Sequence, residues 1–368
     1  MGSEADQPVP AAAVLVVEPF LHFDAERVYN TLTDASLARG EPGFAELHDL
    51  RDGRSTPGDL APALRARLRD AGWLVDAAPD LGSRFRLKYV SFEASAACNQ
   101  ACYFCPVSVD PREDHAVGME LYEDIVAQLA AHRATIEGVA MVLYNEPTTD
   151  RYFLDRVRVL KKHGLPPAVL TNATGLTPQR VDTLLEMGGL SYLSVNLSTL
   201  DRERYRRDRG TDHLPMVLRH LDYLKDRPLA PSMDMAVLGT GDETHRRDFE
   251  AISERFRGSR FRVCFYEVMD RAGALSVGLR PTVRQSRLCG CEQTGSRPVQ
   301  WVHINAKALC VLCCQDYHEQ HVVGDLREER LDDILAGPRM STLRRWAYGM
   351  ESAPDDFLCR KCVYARTR

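Results

Sequence analysis

Three cysteines fall within eight residues at Cys98-Asn-Gln-Ala-Cys102-Tyr-Phe-Cys105, a C-x3-C-x2-C spacing. Thiolates so placed can wrap one face of an iron–sulfur cubane and leave its fourth iron without a protein ligand. An iron left open in this way invites a chelating cofactor. The alternative is zinc, which takes four ligands in a closed structural site; no histidine lies between Ala94 and Arg112 to complete one. Seven more cysteines crowd between Cys289 and Cys362. Of these, Cys291, Cys313, Cys359 and Cys362 make a split set of four that can close a structural or electron-transfer site and staple a small unit. Cys289, Cys310 and Cys314 lie near enough in sequence to exchange roles with them. A four-cysteine zinc site stays open here, because sulfur-rich metals share donor sets. Cys264 stands alone and reads as a small core hydrophobe.

The 368 residues are 44% apolar and 27% charged with a formal net charge of -5. That excludes a disordered chain and gives no basic footprint for nucleic acid. Small molecules or peptides are the expected partners. The apolar run 11–17 is too short to span a bilayer, the acidic start lacks the basic region of a signal peptide, and Asp6 argues against myristoylation. A cytoplasmic location is expected, where thiols stay reduced and eleven cysteines bind metal rather than pair.

These groups need elements to position them. Residues 1–11 read as a disordered tail. Residues 12–83 form a small α+β module, with strand-like runs at 14–17 and 20–23, then 46–50 and a 56–74 segment whose Leu60, Leu64 and Leu68 mark one helical face ended by Gly72. A linker at 79–83 closes it. Over 84–274, apolar runs at 89–92, 139–144, 168–171, 192–197, 233–238 and 261–265 alternate with helical stretches near 119–133, 150–163, 177–187, 213–226 and 243–257. Such alternation predicts an α/β fold, a parallel sheet with right-handed crossovers closing as a partial (β/α)6 barrel. Its working loops follow the strands, and the Cys98 loop follows the first. Residues 275–368 read as a third, metal-stapled unit with a hairpin from runs 299–304 and 308–313 and a helix near 331–335.

The Cys98–Cys105 motif on the first loop of a six-fold β/α pattern resembles the radical S-adenosylmethionine superfamily over residues 88–267. The resemblance implies that the methionine moiety chelates the open iron of a [4Fe–4S] cluster. An electron, from a donor such as flavodoxin or ferredoxin, then cleaves the sulfonium to a 5′-deoxyadenosyl radical that abstracts hydrogen from substrate. Leu143-Tyr-Asn-Glu-Pro147 resembles the family's Gly-Gly-Glu-Pro motif, with Asn145 in place of its second glycine. It implies that Glu146 accepts from the methionine ammonium, a charge-assisted bond. Thr171-Asn172 and Asn196-x-Ser198 resemble the positions that contact ribose or carboxylate, and Tyr103 and Phe104 are expected to shield the cluster and face the adenine.

The C-terminal cysteines resemble the SPASM and twitch extensions of radical enzymes, which hold auxiliary [4Fe–4S] clusters. Ile304-Asn-Ala-Lys-Ala308, Cys313-Cys-Gln-Asp316 and Gly324-Asp325-Leu326 match their hairpin signature, with Ala308 where the family usually has Gly. Asp270-Arg-Ala-Gly273 resembles a recurring segment before it. The C-x2-C-x5-C-x3-C run of full SPASM domains is missing, so a single, twitch-like auxiliary cluster is expected. The 12–83 module, winged-helix-like, resembles PqqD-like peptide-recognition domains through Val28-Tyr-Asn-Thr-Leu-Thr33, Asp52-Gly53 and the closing Ala-Gly-Trp-Leu74. That implies a leader peptide taken as an added strand, hence a ribosomal precursor peptide that is cross-linked or epimerised. The rival is a twitch-type dehydrogenase or epimerase of a sugar or aminocyclitol. In an epimerase a thiol returns hydrogen to the other face, and Cys264 is the candidate donor.

Overall fold

The computed structural model describes residues 14–276, 284–293 and 295–367. The expected tail at 1–11 lies outside them. The chain divides into two units, Met1–Arg84 and Phe85–Arg368. Among the described residues no helix is long and apolar enough to cross a membrane.

In the first unit, β1 (Leu15–Val17) pairs antiparallel with the closing strand, while β2 (Leu21–Phe23), β3 (Arg27–Asn30) and β4 (Ser36–Ala38) form an antiparallel meander. Helices α1 (Phe44–Arg51) and α2 (Pro62–Asp70) and strand β5 (Leu74–Asp76) follow. Leu47, Leu60, Leu68 and Trp73 pack with Leu21 and Val28 to make the core. The 56–74 segment is not one helix. Pro57–Asp59 forms a single 3-10 turn, α2 starts only at Pro62, where a proline costs no helical hydrogen bond, and Gly72 at φ 74° turns the chain into β5. Residues 46–50 belong to α1.

The second unit is built on a nine-stranded sheet. Its parallel strands are β6 (Tyr89–Phe92), β7 (Gly138–Ala140), β8 (Pro167–Thr171), β9 (Tyr192–Asn196), β10 (Met233–Gly239) and β11 (Phe261–Glu267). Helices α3 (Met119–Leu129), α4 (Phe153–Lys162), α5 (Pro178–Glu186), α6 (Arg202–Arg209), α7 (Leu214–Leu224) and α8 (Glu243–Arg255) lie between them. Strand side chains alternate: Leu193 and Val195 of β9 are fully buried, whereas Tyr192, Ser194 and Asn196 are half-buried on its other face. The second strand is shorter than predicted. Past Ala140, the Asn145 side chain accepts from the Leu143 amide at 3.2 Å and Glu93 takes the Tyr144 amide at 3.0 Å, so the backbone leaves the ladder.

The C-terminal elements are β12 (Leu288–Cys291), α9 (Arg297–Gln300), β13 (Trp301–Ile304), β14 (Leu309–Val311), β15 (Val322–Asp325), α10 (Leu331–Ala336), α11 (Pro338–Ala347) and β16 (Ala365–Thr367). The predicted hairpin is present, but it does not stand apart as a third unit. β13 runs parallel to β6 from Trp301 opposite Tyr89 to Ile304 opposite Phe92, and β14 and β15 extend the same sheet. Ala308 turns the hairpin with φ 62°, the left-handed conformation that explains glycine's place in the resembling signature.

Candidate active site

The three-cysteine loop is clamped by its neighbours. Ala101 and Tyr103 donate backbone bonds to Arg209 and Asp208 at the end of α6, both at 3.0 Å, and Glu146 donates its amide to Ala97 at 3.0 Å. Asn99 bridges to the loop after β8 through Thr174 and Asn172, each at 2.9 Å. Cys98 is exposed, Cys105 half-buried and Cys102 buried. Loss of water around the sulfur pushes the Cys98 thiol up to about 12, although the residue as a whole is exposed, and burial raises that of Cys105, with charge on Cys102 adding to both. Thiolates crowded in such a place are stable only when a metal carries their charge. No three Cys, His, Asp or Glu side chains among the described residues converge on one point as a single zinc ion requires.

Glu146 lies 3% exposed beside this loop. Its Oε1 accepts from the Thr148 amide at 3.0 Å, the Thr148 hydroxyl at 2.5 Å and the Thr171 hydroxyl at 2.6 Å; its Oε2 accepts from the Asn172 amide at 2.6 Å. Burial raises its pKa and these donors oppose that. Thr171 and Asn172 therefore hold Glu146 in place, and Oε2 keeps a lone pair for a further donor. Asn145 is turned back onto its own loop, its amide reaching the Met141 carbonyl at 3.5 Å.

Asn196 and Ser198 converge on a residue that sequence reasoning missed. Arg209, 2% exposed, donates to the Asn196 side chain, to Ser198 Oγ at 3.2 Å and to Gln100 at 3.3 Å, and its Nη1 stands 3.6 Å from Cys102 Sγ. Its guanidinium stacks on Phe104 at 4.9 Å and Tyr205 at 5.5 Å. Helix α6 delivers it, capped by Asp201 and stopped by Gly210 at φ 67°. All but one of that helix's residues are charged, so it shows no apolar stripe. Tyr103, Phe104, Ser198 and Arg209 line a cavity of about 770 Å³ with Gly239 and His245. Cys264 is half-buried on β11, in one sheet row with Ala236 and Asn196, and so shares the face that carries Asn196.

The second set also comes together. Cys291, Cys313, Cys359 and Cys362 surround a space of about 420 Å³, joined by Cys314. Burial raises the thiols of Cys291, Cys313 and Cys359, and that of Cys362 to about 12. The Cys314 sulfur accepts from Arg297 at 2.9 Å. Cys289 does not line the space, and Cys310 is fully buried opposite Ile304 and Gly324 in the sheet.

Residues 92–252 match the family model of the radical SAM superfamily, and residues 291–363 that of SPASM, an iron–sulfur cluster-binding domain. Each match spans one of the two cysteine sets. The chain is similar to GTP 3′,8-cyclase of Chlorobaculum tepidum, 27% identical over 143 residues, covering 38% of this chain and 42% of that one. It thus spans about two-fifths of the length of the curated relatives it matches first. Two solved structures share the fold: SuiB of Streptococcus suis, 12% identical with TM-score 0.57 over 95% of this chain and 94% of that one, and anSMEcpe, 13% identical with TM-score 0.52 over 76% and 83%. The chain therefore carries a radical SAM superfamily domain over residues 92–252 and a SPASM domain over residues 291–363, and the cofactors these domains imply are a [4Fe–4S] cluster, S-adenosylmethionine and auxiliary iron–sulfur clusters.

Proposed function

We propose that this enzyme abstracts hydrogen from a ribosomally made precursor peptide, to form a cross-link or invert a stereocentre. The observation that carries the reading is the extent of the likeness to SuiB, solved with its precursor peptide SuiA: it covers 95% of this chain, whereas that to anSMEcpe covers 76%. In the first unit, β4 is an edge strand with Ser36 and Ala38 exposed, suited to main-chain pairing with an extended peptide. A PqqD-like role for residues 12–83 fits that edge.

Cys98, Cys102 and Cys105 would hold the catalytic cluster, and Cys291, Cys313, Cys359 and Cys362 one auxiliary cluster, with Cys314 held by Arg297. Such a cluster, with S-adenosylmethionine bound, would supply a 5′-deoxyadenosyl radical. Glu146 Oε2 takes the methionine ammonium. Arg209, fixed by Asn196 and Ser198, takes the methionine carboxylate, a pairing its planar donors favour. Tyr103 and Phe104, which line the pocket, would flank the adenine.

The test uses the full chain, reconstituted anaerobically with iron and sulfide and given dithionite, S-adenosylmethionine and a panel of synthetic candidate precursor peptides. Loss of two hydrogens or solvent-deuterium uptake in the peptide, with 5′-deoxyadenosine formed, is the expected result. Leu37→Pro, which breaks β4, should abolish peptide binding and leave 5′-deoxyadenosine formation intact. A peptide that neither binds nor changes mass, beside turnover of a sugar or aminocyclitol, sinks the reading in favour of the small-molecule dehydrogenase or epimerase.

A further inference from the structure

The wall of the second cysteine-lined space carries two buried polar atoms that the chemistry above does not use. Gln315 lines that space beside Cys313 and Cys314 and is 5% exposed. Its side-chain Oε1 has no hydrogen-bond partner among the described residues. Arg297 lines the same space. Its Nη1 donates to the Cys314 sulfur at 2.9 Å, whereas its Nε is buried and has no partner among the described residues. Folded chains rarely leave such atoms unpaired, and orphans on the wall of a metal site are the kind that a bound group satisfies.

The loop after Cys314 sorts its side chains. Asp316 gives its carboxylate to the Gln320 and His321 amides at 2.9 and 2.7 Å, and the Tyr317 hydroxyl donates to the Asp110 carbonyl. Neither residue lines the cysteine space. Gln315 does, and its backbone amide donates to Cys313 Sγ at 3.4 Å, so the residue is rooted beside a sulfur.

The chemistry of the space selects which half of the amide belongs there. A cubane held by cysteines offers sulfide and thiolate sulfur, which accept hydrogen bonds and donate none. The carbonyl half of a glutamine gains nothing against such a surface, whereas its NH₂ brings two donors. A half-turn about the last side-chain bond exchanges the two, placing Nε2 where the orphaned Oε1 stands.

We infer that Gln315 donates its side-chain N–H to a sulfur of the auxiliary cluster and thereby raises that cluster's reduction potential. The inference rests on the reading that Cys291, Cys313, Cys359 and Cys362 hold a cluster. Reduction adds negative charge to the sulfurs, so a fixed donor binds the reduced state more tightly than the oxidised one. Gln315 does not line the cavity beside the first cysteine set, so the effect belongs to one cluster.

The experiment is a potentiometric titration, followed by electron paramagnetic resonance, of the reconstituted full chain and of Gln315→Met and Gln315→Glu. Methionine keeps the length and removes the donor; glutamate keeps the shape and offers only acceptors at neutral pH. The signal lost on changing Cys359 and Cys362 together to Ala identifies the second cluster. Its midpoint should move negative in Gln315→Met, the reduced fraction at fixed potential falling by up to about tenfold, which for one electron is about 59 mV. Gln315→Glu should move it further the same way, and the first cluster should stay put in both. An unchanged midpoint in Gln315→Met overturns the inference, as when a water joining Gln315 to Arg297 is what satisfies the two orphans. Equal shifts of both clusters also overturn it, and so does loss of the second cluster's iron in both variants, since a donor that only tunes is not needed to hold the metal. Only about four irons per wild-type chain would instead sink the reading beneath it, by iron count and before any variant is titrated.

Discussion

Arg209 Nη1 stands 3.6 Å from the sulfur of Cys102. A guanidinium buried to this depth and bonded to Asn196 and Ser198 is rigid, so its remaining donors are fixed before any ligand arrives. Charge-assisted bonds contribute about 1.5–3 kcal/mol. Arg209→Met should therefore weaken S-adenosylmethionine binding by roughly ten- to a hundredfold, measured by equilibrium dialysis on the reconstituted enzyme, with iron content retained. Binding unchanged within twofold would remove Arg209 from the cofactor site.

Glu146→Gln sets an amide NH₂ against donors that now meet an oxygen, since both carboxylate oxygens already accept from Thr148, Thr171 or Asn172. The expected loss is about 1–3 kcal/mol in urea unfolding of the apoprotein. Thr171→Val, which deletes one donor and leaves the carboxylate its other bonds, should cost less. The reverse order would mean that Glu146 is not held as described.

The two C-terminal thiol environments predict opposite outcomes. Changing Cys359 and Cys362 together to Ala should remove about four irons per chain and leave 5′-deoxyadenosine formation without substrate in place. Cys310→Ala should leave iron unchanged and lower stability instead, because Cys310 packs in the sheet core away from the cysteine-lined space. Iron counting and thermal unfolding separate the two.

His303 is fully buried, stacked on Trp301 with ring centres 5.4 Å apart, and neither ring nitrogen has a hydrogen-bond partner among the described residues. Burial drives its pKa well below 6.5, with the Arg297 charge adding to the effect. The unfolded chain thus binds a proton that the folded chain refuses, and stability falls as pH drops below about 6.5. The slope from one such group is at most about 1.4 kcal/mol per pH unit. His303→Phe keeps the stack and should flatten apoprotein unfolding free energy between pH 6.5 and 5. A slope identical to wild type would show that the acid sensitivity comes from elsewhere.

The first cysteine set was easy to pick out because its three thiols lie on one loop, and the six parallel strands were legible because each contains a bounded apolar run. Helix α6 was not, since Tyr205 alone of its residues is apolar and no periodic face remains. Arg209 carries no local signature; its surroundings come from groups that distant segments bring to it. The choice among Cys310, Cys313 and Cys314 depends on which side of a hairpin each residue faces, and spacing alone does not encode that. The alignment of Trp301 with Tyr89 joins distant parts of the chain through backbone bonds that neither segment advertises.

That alignment bears on how the molecule can be cut. β6, which leads into the first cysteine loop, has β7 on one flank and β13 on the other. A fragment ending after Glu267 would leave Tyr89–Phe92 as a bare strand edge, open to pairing with other chains. The part that carries the first cysteine set thus shares one continuous sheet with the C-terminal hairpin. Any graft or truncation must carry the hairpin along, or supply another strand in its place.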